Sequence, residues 1–185
     1  MTGTTQRLGE VLRDGERVGT RYERMLAHPP GKVWRALTES DHLRHWFPAD
    51  ILGERRAGAD IRFRFWPESL ERADAEPAEM EVDLGEPELP GRILTWDPPR
   101  LFEFLWDDEQ LRFDLAAEGA GTRLVCTVWF GKPGPHGLPG TAAGYHVCLD
   151  ALEASLGDEP GELPDPAAVT SLERRYAETI GIASA

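Results

Sequence analysis

Residues Gly137–Gly157 read GLPGTAAGYHVCLDALEASLG, and this stretch decides the fold. Ala142, Tyr145, Leu149, Leu152 and Leu156 recur at steps of three and four, which places them on one stripe of an α-helix. Pro139 suits a first turn, where its missing N–H has no partner to lose, and Gly157 is a natural stop. Burying such side chains is worth at most ~1.5–3 kcal/mol for each large one, because unfolded chains are already partly collapsed. The helix is therefore a principal core element, and it needs an apolar surface to lie on.

The preceding residues supply that surface. Ile61, Phe63 and Phe65 alternate with Arg62 and Arg64. Phe102, Phe104 and Trp106 form a second such run, Leu111, Phe113 and Leu115 a third, and Leu124, Cys126, Val128 and Phe130 a fourth. Period-two alternation marks strands with one apolar and one solvated face, and the short connections between them predict an antiparallel meander. Further strands are expected at Val18–Ala27, near Met80–Leu84 and over Gly91–Trp96. The outward charges Arg62, Arg64, Glu103, Arg112, Asp114 and Arg123 read as cross-strand pairs.

His28-Pro29-Pro30 closes the first strand and opens a short helix with Val33, Trp34 and Leu37 on one face. Ser40 reads as the N-cap of a second short helix, which turns Leu43, Trp46 and Phe47 inward before Pro48. The acid- and proline-rich segment Pro67–Pro90 reads mainly as a solvated loop. Residues 1–17 are expected to be a flexible N-terminal segment and residues 18–157 the folded domain. Residues 158–185 form a polar linker and an amphipathic tail helix. Val169, Leu172, Tyr176 and Ile180 on that helix require cover, from the domain itself or from a second copy in a homodimer.

The 185 residues carry 20 Lys plus Arg against 33 Asp plus Glu, a formal net charge of −13. So acidic a chain repels phosphate, and no basic stripe interleaved with aromatics is present, which argues against nucleic acid and anionic membranes as partners. No apolar run reaches the ~20 residues of a membrane span. The first residues lack the apolar core of a secretory signal, so a cytoplasmic location is expected. Cys126 and Cys148 then read as buried, reduced thiols.

LAHPPGKVWRALTESDHLRHWFPAD (26–50), GRILTWDPPRLFEFLW (91–106) and GYHVCLDALEASLG (144–157) resemble a known group. It is the activator of heat-shock-protein-90 ATPase homologue-like branch of the START-like (SRPBCC) superfamily. The resemblance covers roughly residues 18–157. It implies an α+β helix-grip (START-like, Bet v-like) fold: a curved antiparallel sheet wrapped around a long C-terminal helix, with two short helices after the first strand. In relatives, the space between sheet and helix accepts hydrophobic small molecules. The resemblance does not imply a reaction, since such folds host carriers, cyclases and co-chaperone domains. Residues 1–17 are too few to supply the additional N-terminal domain of the eukaryotic co-chaperone.

Joined to the inward alternation, the resemblance makes Trp46, Phe63, Phe65, Phe104, Trp106, Phe113, Tyr145, His146, Leu149 and Leu152 the expected ligand-lining set. His146 lies at the margin of the stripe. It reads either as a group that binds or protonates a ligand, with Asp150 or Glu153 setting its charge, or as a boundary histidine hydrogen-bonded to the sheet. His42 and His45 have a helical spacing that suits a metal, but no cluster completes a ligand set. No G-x-S-x-G, Walker A, G-x-G-x-x-G or H-E-x-x-H pattern is present. No cofactor, metal or catalytic residue is therefore assigned. The expected function is binding of an apolar or aromatic small molecule. Alternatives are a co-chaperone-like protein acting on an Hsp90-type ATPase, and an aromatase/cyclase-type enzyme using Tyr145 and His146.

Overall fold

A computed structural model describes residues 8–69, 88–133, 137–157 and 166–181. The strands are β1 (Glu10–Asp14), β2 (Arg17–Leu26), β3 (Ala49–Leu52), β4 (Asp60–Phe65), β5 (Glu88–Asp97), β6 (Leu101–Trp106), β7 (Glu109–Glu118) and β8 (Gly121–Trp129). The helices are α1 (Pro30–Thr38), α2 (Ser40–Leu43), α3 (Gly137–Ser155) and α4 (Pro166–Ile180). The eight strands form one antiparallel sheet in the order β1-β2-β8-β7-β6-β5-β4-β3. The sheet is curved and does not close. Its concave face holds α1, α2 and α3, the helix-grip arrangement expected from the sequence.

Alternation sets the faces of β6, β7 and β8. Phe102 and Phe104 on β6, Leu111, Phe113 and Leu115 on β7, and Leu124, Cys126 and Val128 on β8 are all buried. On the other face, Arg123 bridges to Glu23 (2.9 Å), Arg64 to Glu88 (2.7 Å) and Arg112 to Asp114 (2.8 Å). The expected cross-strand pairing is present, although Arg112 and Asp114 lie two residues apart on one strand. Gly91 has a specific steric role. A Cβ there would lie 2.4 Å from the Phe63 ring and 2.5 Å from the Leu105 carbonyl oxygen. Its bare backbone leaves room for the Phe63 ring and the Leu105 carbonyl.

The α3 stripe is buried as its spacing requires: Ala142, Tyr145, Leu149, Leu152 and Leu156 are each at most 9% exposed. Two polar contacts tie it to β2. Tyr22 Oη donates to the Ala142 carbonyl (2.8 Å) and Arg24 pairs with Asp150 (2.9 Å). Below the sheet, α1 buries Val33, Trp34 and Leu37, and the turn after α2 buries Trp46 and Phe47. Ser40 is the first residue of α2 and not its cap; Glu39 occupies that position without a side-chain hydrogen bond.

Three features differ from the sequence reading. Residues 10–14, placed in a flexible segment, form the edge strand β1 paired with β2. The short edge strand β3 pairs with β4, where four residues gave too little alternation to identify it. The acidic stretch reaches further into the sheet than expected, since β5 already begins at Glu88. The strand expected near Met80–Leu84 lies outside the described residues. Helix α4 buries Leu172, Tyr176 and Ile180 within the chain, so the domain itself covers that stripe.

Candidate functional site

The ten sequence-predicted residues fall into separate places. Phe63, Phe104, Phe113 and Trp46 are 0%, 1%, 2% and 7% exposed. They form a ring array, with Phe63–Phe104 at 5.4 Å, Phe104–Phe113 at 6.2 Å and Trp46–Phe113 at 6.2 Å. The Trp46 indole N–H is spent on the Ala36 carbonyl, 2.8 Å away. Leu149 and Leu152 lie on the buried stripe of α3. These six side chains build the wall between sheet and helices.

Phe65 and Trp106 lie together on the concave face, and Tyr145, midway along α3, reaches the same place through Glu109. Trp106 is half-buried and enclosed by Phe47 (5.0 Å), Phe63 (5.2 Å, stacked) and Phe65 (6.0 Å). Its Nε1 is buried and has no hydrogen-bond partner among the described residues. Trp106 on β6 is the direct cross-strand partner of Glu109 on β7, so the two side chains share a face. The Tyr145 hydroxyl reaches across from α3 and donates to Glu109 Oε2. Burial lifts the Glu109 carboxyl above the ordinary glutamate range, and neighbouring Asp108 and Asp107 add to this against the Tyr145 hydrogen bond. Burial also pushes the Tyr145 phenol well up, and the Glu109 charge adds to it.

His146 faces a different way. It is 1% exposed, with Nδ1 2.8 Å from Tyr176 Oη and Nε2 3.3 Å from Asp150 Oδ2. Tyr176 Oη in turn accepts the Gly9 N–H at 2.8 Å. One proton arrangement satisfies every member: Tyr176 donates to Nδ1, and the Nε2–H of His146 faces Asp150. Burial alone would raise the Asp150 carboxyl, but the hydrogen bond from His146 and the Arg24 guanidinium hold it below its usual range. This chain of contacts ties α4 and the approach to β1 onto α3. The sequence reading has His146 facing a ligand or bonded to the sheet; its nitrogens instead engage helix α4 and its own helix. Tyr145 and His146, adjacent in sequence, are sent to separate partners and do not form an acid–base pair.

Three residues that matter here are not among the site residues expected from the sequence, where Tyr176 is read only as part of the tail-helix stripe. Glu109 was legible, since it continues the inward alternation of Leu111, Phe113 and Leu115. Arg24 and Tyr176 were not, because their roles depend on which elements meet. A pocket of about 380 Å³ on the other side of the sheet, between Asp97, Arg100, Asp114 and Arg123, has its arginines paired to Asp97 and Glu23. Among the described residues no group of three or more His, Cys, Asp or Glu is placed to hold a metal. No helix among them is long and apolar enough to cross a membrane.

A curved sheet gripping a long helix, with a semi-enclosed aromatic face at one end, defines a START-like domain. Residues 27–157 match the family described as activator of Hsp90 ATPase homolog 1-like protein, and the chain belongs to that family. Similar solved structures carry the same fold. A conserved protein of unknown function, EF2215 from Enterococcus faecalis, is 20% identical with a TM-score of 0.74, over 96% of this chain and 92% of that one. CalU16 from Micromonospora echinospora is 18% identical with a TM-score of 0.62, over 94% of each. The Aha1 dimer from Colwellia psychrerythraea is 18% identical with a TM-score of 0.57, over 77% of this chain and 98% of that one. No curated protein matches the chain.

Proposed function

We propose that this protein is a cytoplasmic START-like domain that binds an apolar or aromatic small molecule between the sheet and α3. The ligand-facing set is drawn from the sequence-predicted residues, with residues 18–157 as the binding body. The observation that carries the reading is the half-buried end of the concave face. There Trp106 and Phe65 remain partly accessible beside the buried Tyr145, while Phe63, Phe104 and Phe113 close the floor. Aromatic surface beside a few directed polar groups is the usual composition of a small-molecule site. Native mass spectrometry of protein purified from its own host, followed by organic extraction, tests this. A co-purifying small molecule displaced by Trp106→Ala supports it. A homogeneous apo mass, with no binding from a panel of apolar aromatics, refutes it.

Family membership favours a second reading, action on an Hsp90-type ATPase through the acidic surface. Stimulation of such an ATPase at micromolar protein, lost at high salt, supports it; an unchanged rate removes it. One solved relative is described as a dimer. Because Leu172, Tyr176 and Ile180 are buried within the chain, self-association here would use another surface.

A further inference from the structure

The half-buried end of the concave face has hydrogen-bonding capacity that the fold does not use. Trp106 and Glu109 are cross-strand partners, and long side chains at such positions ordinarily reach one another. Here they do not pair. Glu109 turns to the Tyr145 hydroxyl on α3, and the Trp106 N–H, fixed in direction by Phe47 and Phe63, is buried without an acceptor among the described residues. Buried polar atoms in folded proteins are almost always paired, so an orphaned donor marks a place where another group belongs. Beside it stands a carboxyl group for which, among the described residues, only one oxygen carries a hydrogen bond, to Tyr145. The two residues share one face at one register position, which puts a donor and an acceptor on the same patch of sheet.

We propose that Trp106 and Glu109 form a polar-recognition subsite for a flat aromatic ligand carrying a carbonyl with an adjacent N–H or O–H. The carbonyl accepts from Trp106 Nε1, and the neighbouring N–H or O–H donates to Glu109. Tyr145 is the positioning residue, because its hydroxyl holds the carboxyl group against α3. This rests on the small-molecule reading above and adds the pattern that the ligand must present. Naphthalene satisfies the floor alone; 2-quinolinone adds the paired carbonyl and N–H; 1-methyl-2-quinolinone retains only the carbonyl.

The test is a titration of the full-length, ¹⁵N-labelled chain with these three probes, read at the indole N–H resonances. Trp106→Phe identifies the Trp106 resonance, and through-space contacts to Phe63 assign it independently if that variant does not fold. The expected result is binding of 2-quinolinone about tenfold tighter than naphthalene, the effect of one well-made net hydrogen bond. The Trp106 N–H resonance moves downfield on binding, and 1-methyl-2-quinolinone loses most of the gain. Equal binding of all three probes with the Trp106 resonance unmoved overturns the subsite and leaves the small-molecule reading intact. Failure of all three, naphthalene included, overturns both.

Discussion

Replacing Tyr176 by phenylalanine removes one oxygen from the chain while leaving the ring that fills its place. That oxygen serves two buried groups: it accepts the Gly9 N–H and donates to His146 Nδ1, each at 2.8 Å. Tyr176 is 0% exposed and His146 1%, so water cannot readily replace it. Each buried group left without its partner costs roughly 1–3 kcal/mol, and the isosteric ring adds no cavity term. Tyr176→Phe is therefore expected to lower the unfolding free energy by about 2–6 kcal/mol. For a chain of this length that corresponds to a fall in Tm of roughly 4–24 °C. Urea denaturation with an unchanged m-value measures the loss. Hydrogen exchange locates it: the amides of Gly9, of β1 and of α4 should lose protection together, while β6 and β7 keep theirs. A loss below about 0.5 kcal/mol, with unaltered exchange in α4, refutes the idea that this hydroxyl fastens α4 and the N-terminal strand to the grip helix.

Three further outcomes follow from particular contacts. Gly91→Ala should cost about 1–3 kcal/mol in chemical denaturation, because its Cβ would meet both the Phe63 ring and the Leu105 carbonyl; an unchanged midpoint would show that the sheet yields there freely. Asp150, whose folded-state pKa is depressed, contributes stability that is present above the ordinary aspartate value of about 3.9 and lost as pH falls through the lower folded value. Asp150→Asn should accordingly flatten the acid limb of a stability–pH curve, and an identical limb in both proteins argues against the Arg24–Asp150–His146 contacts. Burial pushes the Cys148 thiol up to about 12 and Cys126 further still. Cys126, fully buried, should react with a thiol-specific disulfide reagent at pH 8 only on the timescale of unfolding, and the partly exposed Cys148 sooner but more slowly than a free thiol; rapid labelling of both in the native protein contradicts that.

Much of the architecture was legible because the signals are local and periodic. The four alternating runs from Ile61 to Phe130, the double proline before α1 and the 3–4 spacing of Ala142 to Leu156 each specify an element and its buried face. The same alternation extends to Glu109, so the inward placement of this acid could be read directly from the chain. Less legible were β1 and β3, at the two edges of the sheet. Each pairs on one side only, and such short strands need little hydrophobic patterning to stay in place.

What the sequence determined by itself is therefore the class of the fold: a one-sided sheet requires a helix to cover it, and Gly137–Gly157 presents the apolar stripe that does so. The tertiary structure decided how the polar groups are assigned. Tyr145 and His146 stand next to one another on α3, yet about 100° of helical rotation separates them. One therefore meets Glu109 from β7, and the other meets Tyr176 from α4. Hydrogen-bond partners separated by 30 or more residues depend on how elements dock, and no local periodicity encodes that.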